Sequence, residues 1–269
     1  MRKFLVILLI CLVASPAEAT WSLIENGAFG TATAAGATVG VTGLGADAPI
    51  GRVAIVHCSA HYTGAGSSGA TTVMSVSDND GINVYTRLVE RTVNNATTDQ
   101  IAGLFYSQLT NILETTDTVT CNTGNGSSEG KVVNLWIFSV SAGSTVAPAG
   151  TTAQGSGTST SYSTGGIASL SNIERLWLGA ISMSHSSGSI TCDATFTCGS
   201  SRLANTGTAL TSQILNTGYL VQTATGDDFA GSISVSRVWN DLVAALEETL
   251  AGGATRNVGG MMGFPGVRR

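Results

Sequence analysis

The run Lys131 to Ser141, Lys-Val-Val-Asn-Leu-Trp-Ile-Phe-Ser-Val-Ser, constrains the fold of this chain more than any other stretch. It is a short, almost uninterrupted apolar run, rich in β-branched and aromatic residues and bounded by Gly and Ser. Those features favour a buried central strand over a helix. Two partial echoes, Arg52 to Ala60 and Arg175 to Ser184, share its length and its boundary signals. Around these three, the remaining segments read as half-exposed strands and turns, Thr208 to Leu215 and Tyr219 to Thr225 among them as two separate strands.

The expected fold class is therefore all-β, an antiparallel two-sheet sandwich of jelly-roll-like type. A chain of 269 residues suits one such domain. Its halves show a weak internal symmetry, since each begins with an Arg-led strand (Arg52, Arg175) and closes on an apolar one (Leu135 to Val140, Leu242 to Leu246). The predicted division is a leader over 1–19, a single sandwich over 20–251 and a flexible Gly-rich tail over 252–269. Within the sandwich, halves of about 20–141 and 167–251 are joined by a Gly/Ser/Thr-rich crossover, 142–166, carrying one edge strand at Thr158 to Thr164. Asp78-Asn79-Asp80-Gly81 reads as a hairpin turn, and Gly64 to Gly69 as a loop. Trp239 to Leu250 is ambiguous: Trp239, Leu242, Val243, Leu246 and Leu250 fall at helical spacing, yet a closing strand fits its first part.

Charged residues make up only 11% of the chain, and the formal net charge is −5. Nucleic acid is excluded as a partner, because its binding needs clustered Lys and Arg. Met1 to Ala19 has a basic start (Arg2, Lys3), an apolar run from Phe4 to Ala14 and a small-x-small site at Ala17-Glu18-Ala19. This is the pattern of a secretory signal peptide, too short in its apolar part to span a membrane. The expected location is secreted or cell-surface, or a virion if the chain is phage-encoded, with no membrane span once the leader is removed. Beyond the leader there are four cysteines, Cys58, Cys121, Cys192 and Cys198. An even number in an exported chain points to two disulfides with three possible connectivities, of which Cys58 to Cys121 and Cys192 to Cys198 are preferred. The first would tie two strands and contribute roughly 4 kcal/mol; the second would close a hairpin and contribute roughly 2 kcal/mol.

Residues able to carry chemistry are few. His57 and His61 lie four apart on a strand, ~13 Å from each other and too far to share one ion; His61 and His185 occupy similar strand ends. Asp78, Asp80 and Asn83 supply closely spaced oxygens, a candidate calcium loop without the terminal Glu of an EF-hand. Gly124 to Val132 resembles a phosphate loop but leads into a strand, so no helix dipole backs its amides. The acidic pairs Asp227-Asp228 and Glu247-Glu248 would point to opposite faces of a strand. No catalytic or cofactor-binding residue is assigned. Tyr62, Tyr85, Tyr162, Tyr219 and Trp21 are candidates for stacking on sugar rings.

The order of these signals resembles a loosely defined group of Gly/Ser/Thr-rich β-sandwich proteins found in phage particles and among secreted bacterial proteins. The resemblance is carried by the long strand Arg52 to Ser59, the turn with Asp78, Gly81, Asn83 and Tyr85, the run Leu135 to Val140, the Ser/Thr stretch, the strand from Arg175 and the Trp-led run Trp239 to Leu246. It implies a structural or attachment module without catalytic residues. The functional expectation is an exported, non-catalytic module for surface attachment or carbohydrate binding, with polysaccharide or cell-surface glycan as partner. A self-associating structural component of an extracellular assembly or phage virion is the alternative, and a glycan-active enzyme the second.

Overall fold

A computed structural model of the chain describes residues 21–62, 73–93, 99–124 and 128–251. The leader, the Gly64 to Gly69 loop and the tail lie outside them. Among the described residues the chain is all-β and antiparallel, and no helix is long and apolar enough to cross a membrane.

The first half contributes β1 (Ser22–Ala32), β2 (Thr38–Val41), β3 (Val53–Tyr62), β4 (Ser75–Asp78), β5 (Thr86–Val93), β6 (Asp99–Gln108), β7 (Val119–Asn122) and β8 (Ser128–Ser139). They form a large sheet of order β1-β8-β3-β6-β5 and a small one of order β2-β7-β4. The second half contributes β9 (Thr145–Gly157), β10 (Ser161–Ser163), β11 (Ile173–Met183), β12 (Ile190–Thr191), β13 (Thr197–Cys198), β14 (Arg202–Ala204), β15 (Gln213–Ala224), β16 (Ala230–Ile233) and β17 (Trp239–Thr249). Its large sheet runs β9-β17-β11-β15, with β13 and β14 both beyond β15, and its small sheet runs β10-β16-β12. Replacing β1, β2, β3, β4, β6, β7 and β8 by β9, β10, β11, β12, β15, β16 and β17 turns one arrangement into the other. The weak symmetry of the sequence is thus a repeat of topology.

Each half is a sandwich in its own right, and the two stack through their large sheets. Strand alternation sets this out. On β3, Ala54, Val56, Cys58 and Ala60 pack with Val39, Val119 and Cys121 of the small sheet, while Val53 and Ile55 join Leu176, Leu178, Leu242 and Leu246 of the other half. On β17, Trp239, Val243 and Ala245 turn the opposite way, onto Tyr162, Phe229 and Ile233. The expected single two-sheet body is therefore four layers, because both large sheets are apolar on both faces. The same fact resolves Trp239 to Leu250. It is a strand as far as Thr249, and its helical spacing arises from burial on two faces.

Three further expectations change. Asp78 to Gly81 does not close a hairpin: β4 belongs to the small sheet and β5 to the large one, so the turn carries the chain between layers. The segment 142–166 holds two strands, and β9 pairs with β17 along nearly its whole length. Backbone hydrogen bonding carries this pairing, and small side chains permit it: a Cβ at Gly155 or Gly157 would run into Asp241 or the Trp239 ring. Finally, Thr208 to Leu215 and Tyr219 to Thr225 are not separate strands, since β15 passes unbroken through Gly218.

Candidate functional site

The proposed calcium oxygens are drawn together in part. Asp78 and Asn83 are buried, and Asp78 Oδ2 accepts from Asn83 Nδ2 at 2.7 Å. Asp78 Oδ1 accepts the Gly81 amide at 2.7 Å, and Asn83 Oδ1 accepts the amides of Thr110 and Asn111 at 2.9 and 3.0 Å. Each oxygen thus faces an N–H proton, which braces the 79–85 loop against the 109–118 loop. Asp80 stands outside, exposed, 3.4 Å from Asn111 Nδ2. Among the described residues no group of three or more His, Cys, Asp or Glu is placed to hold a metal ion. The braced loops present Ile82, Val84 and Ile112 to solvent, at 54%, 75% and 44% exposure.

His57 and His61 share a face, as their spacing implies, and it is the face turned towards the other half. Both are fully buried, and among the described residues none of their ring nitrogens meets a hydrogen-bond partner. Burial lowers His57 to about 3, against a smaller raising effect of the Asn134 backbone. It lowers His61 to about 4, with Glu129 and Asp99 pulling the other way. Both rings are neutral at physiological pH. His185 Nδ1 accepts the Ser187 amide at 3.0 Å.

These histidines belong to a polar layer at one end of the contact between halves. Asn134, with its amide oxygen towards Thr217 Oγ1 (2.8 Å) and Trp136 Nε1 (3.1 Å), donates to Ala28 O (3.1 Å) and links the halves. Gln100 Nε2 donates to Val238 O, Asn240 Nδ2 to Arg91 O and Arg91 to Ser156 Oγ, each at 2.7 Å. At the other end the contact is apolar, with Tyr219 of β15 set edge-on to Trp136 and Phe138 of β8.

The cysteines pair as preferred, Cys58 with Cys121 and Cys192 with Cys198. The second pair does not close a hairpin, because β12 and β13 lie in different sheets. Each disulfide therefore joins the two layers of its own half. The stacking aromatics fare differently: Trp21 and Tyr162 are buried, Tyr85 packs against the first core and Tyr219 lies in the contact between halves. The side chain of Tyr62 lies outside the described residues. The acidic pairs have structural partners. Glu247 meets Arg175 at 3.3 Å, Glu248 accepts the Ser141 amide at 2.7 Å, Asp227 accepts from Gln222 Nε2, and Asp228 accepts from Ser163 Oγ at 3.4 Å.

A cleft of about 460 Å³ opens where the halves join, lined by two turns, 49–52 and 140–144, and by Gln108. Gly51 (φ 85°) and Gly143 (φ 76°) hold left-handed conformations in those turns, which other residues adopt only at a cost. The turn 140–144 is tied from behind by Glu248 and by Ser144 Oγ, which donates to Ser141 O at 2.7 Å. Gln108 is engaged at both ends, donating to Ser144 O and accepting the Val146 amide. Arg52 also lines the cleft, and among the described residues its guanidinium has no acceptor. Sequence reasoning saw Arg52 only as the start of a strand; that its guanidinium has no acceptor among the described residues is a tertiary fact.

Comparison with protein-family models, with curated proteins and with solved structures finds no match for this chain.

Proposed function

We propose that this chain is an exported, non-catalytic β-sandwich module, jelly-roll-like in the nested pairing of β1 with β8, β2 with β7 and β3 with β6, that attaches to a surface by binding carbohydrate. The observation that carries the reading is the preformed cleft between the first half and the connecting turn 140–144, with Arg52 in its lining and apolar walls of Pro49, Ile50 and Val140. Apolar walls with few polar groups are what small-ligand sites provide. The aromatic platforms expected for neutral sugars are not its basis, since Trp21 and Tyr162 lie in the cores. A glycan array on the secreted protein tests the proposal: specific, saturable retention supports it, and a blank array counts against it.

A second reading, a structural component of an extracellular assembly or virion, is favoured by Ile82, Val84 and Ile112 on the braced loops. Exposed aliphatic groups held on a rigid support favour association with a partner surface. Under this reading the mature protein associates with increasing concentration in sedimentation velocity, and Val84→Asp with Ile112→Asp abolishes that association.

A further inference from the structure

We infer that the junctional cleft is built for a sugar acid, a pyranose-sized ligand whose carboxylate pairs with the Arg52 guanidinium. This rests on the attachment reading for the choice of a saccharide, and on the geometry of the cleft for the charge.

The argument begins with the repeat. By strand order and by phase, Arg52 at the start of β3 corresponds to Arg175 in β11: Val53 and Leu176, which follow them, both face the opposite half. Arg175 shows what a guanidinium takes up at that place. It is 1% exposed and donates to Ser171 O at 2.6 Å, Ser171 Oγ at 2.8 Å and Ala224 O at 3.1 Å, with Glu247 Oε2 at 3.3 Å. The second half thus surrounds its arginine with carbonyls and one carboxylate. In the first half the corresponding arginine lines a cleft and has no such neighbours. In the first half the register puts Ser139 where Glu247 stands in the second, so a serine and not a carboxylate fills that place beside Arg52.

The other lining groups narrow the ligand class. Gln108 is engaged through both its oxygen and its nitrogen, and the Ser144 hydroxyl is donated to Ser141 O. Few oriented groups remain to discriminate hydroxyls, so charge pairing must carry recognition. A guanidinium takes a carboxylate through two parallel N–H bonds, a geometry that a neutral sugar cannot supply. Pro49, Ile50, Val140 and Ala142 offer an apolar wall to the C–H face of a ring. The volume exceeds what acetate would fill and lies within the range of small-ligand pockets.

The test is a titration of the secreted protein, by calorimetry or ligand-observed NMR, with D-glucuronate, D-glucose and acetate, on wild type and Arg52→Gln. The expected result is saturable glucuronate binding, at least tenfold weaker acetate binding, no glucose binding, and at least tenfold loss of glucuronate affinity in Arg52→Gln at an unchanged thermal midpoint. Arg52→Lys is expected to recover part of the affinity, since it keeps charge without the two-pronged geometry. Absence of glucuronate binding, equal binding by glucose or acetate, or binding indifferent to Arg52 overturns the inference. Retention of neutral glycans on the array with no glucuronate binding would overturn it while leaving the attachment reading standing.

Discussion

Lys131, the only lysine beyond the leader, is 1% exposed, and its ammonium donates to Ala34 O and Ser128 O at 2.7 Å and to Glu129 O at 3.0 Å. It ties the strand end to the preceding loop and is not a phosphate ligand. Lys131→Met is expected to lower stability by about 3 kcal/mol, because charged hydrogen bonds are lost and carbonyls are left without partners. Urea denaturation checks this, and a loss below about 1 kcal/mol would show that solvent already satisfies those carbonyls. The histidines set the response to acid. The folded values of His57 and His61 lie below the ordinary 6.5, so the unfolded chain takes up protons first as pH falls. Stability is then lost from about pH 6.5 downwards until the folded values are passed, about 2 kcal/mol per ring by pH 5. Asp241 acts in the opposite sense. Burial pushes its carboxyl up to about 7, against the Gly155 amide and the Arg91 charge, so the folded chain keeps a proton that the unfolded chain releases. Its contribution rises as pH falls from about 7 towards 4. Wild type is therefore expected to lose only about 2 kcal/mol between pH 7 and pH 5, and Asp241→Asn about 4 kcal/mol. Equal slopes in the two proteins, read from urea midpoints at several pH values, would show Asp241 to be ionised in the fold.

At the level of elements, close approach decides where strands tolerate no side chain. Phe229 is fully buried with its ring over Gly179 of β11 and against Gly218 of β15, and a Cβ at Gly179 would occupy the ring's position. Gly179→Val is expected to cost more than 3 kcal/mol although valine suits strands, since overpacking displaces an aromatic anchor. Gly179→Val with Phe229→Ala should regain part of that loss; a double variant no better than the single one would locate the strain elsewhere. Strand existence was legible here from short apolar runs between turn residues. Strand pairing was less so. Thr145 to Gly157 carries almost no large side chain, so no hydrophobic pattern marked β9, and its register comes from backbone hydrogen bonds to β17. The polar layer did leave a trace. Asn134 stands in phase with Val132, Trp136 and Phe138, and Asn240 with Leu242 and Ala244, each a polar residue at an inward position. A polar residue inside an apolar strand demands a partner, and the other half supplies one to each, Thr217 to Asn134 and Arg91 to Asn240.

For the whole molecule, the stack of two sandwiches sets how it unfolds. The edges of the large sheets approach one another, β5 meeting β9 through Arg91 and Ser156, and this shields strands that would otherwise template pairing with other chains. With aromatic residues and the Asn134 network spanning the contact, calorimetry is expected to show one transition; two resolved transitions would mean that the halves are stable alone. Each disulfide acts within its own half, so Cys58→Ser with Cys121→Ser should cost about 4 kcal/mol and Cys192→Ser with Cys198→Ser about 2 kcal/mol. Neither removal should split the transition. Millimolar calcium is expected to leave the midpoint unmoved, because Asp78 and Asn83 already accept protein N–H groups; a rise of several degrees would reopen the Asp78, Asp80 and Asn83 site.

The residue pattern alone determined that this chain is all-β, that its long apolar strands are buried and that its cysteines pair, because alternation, turn residues and cysteine number act over a few neighbouring positions. The count of layers, the neutral histidines inside the contact and the uncompensated guanidinium at the cleft were decided only by the packed structure. A strand's second face, a ring's dielectric surroundings and a charge's partners all depend on residues distant in the sequence.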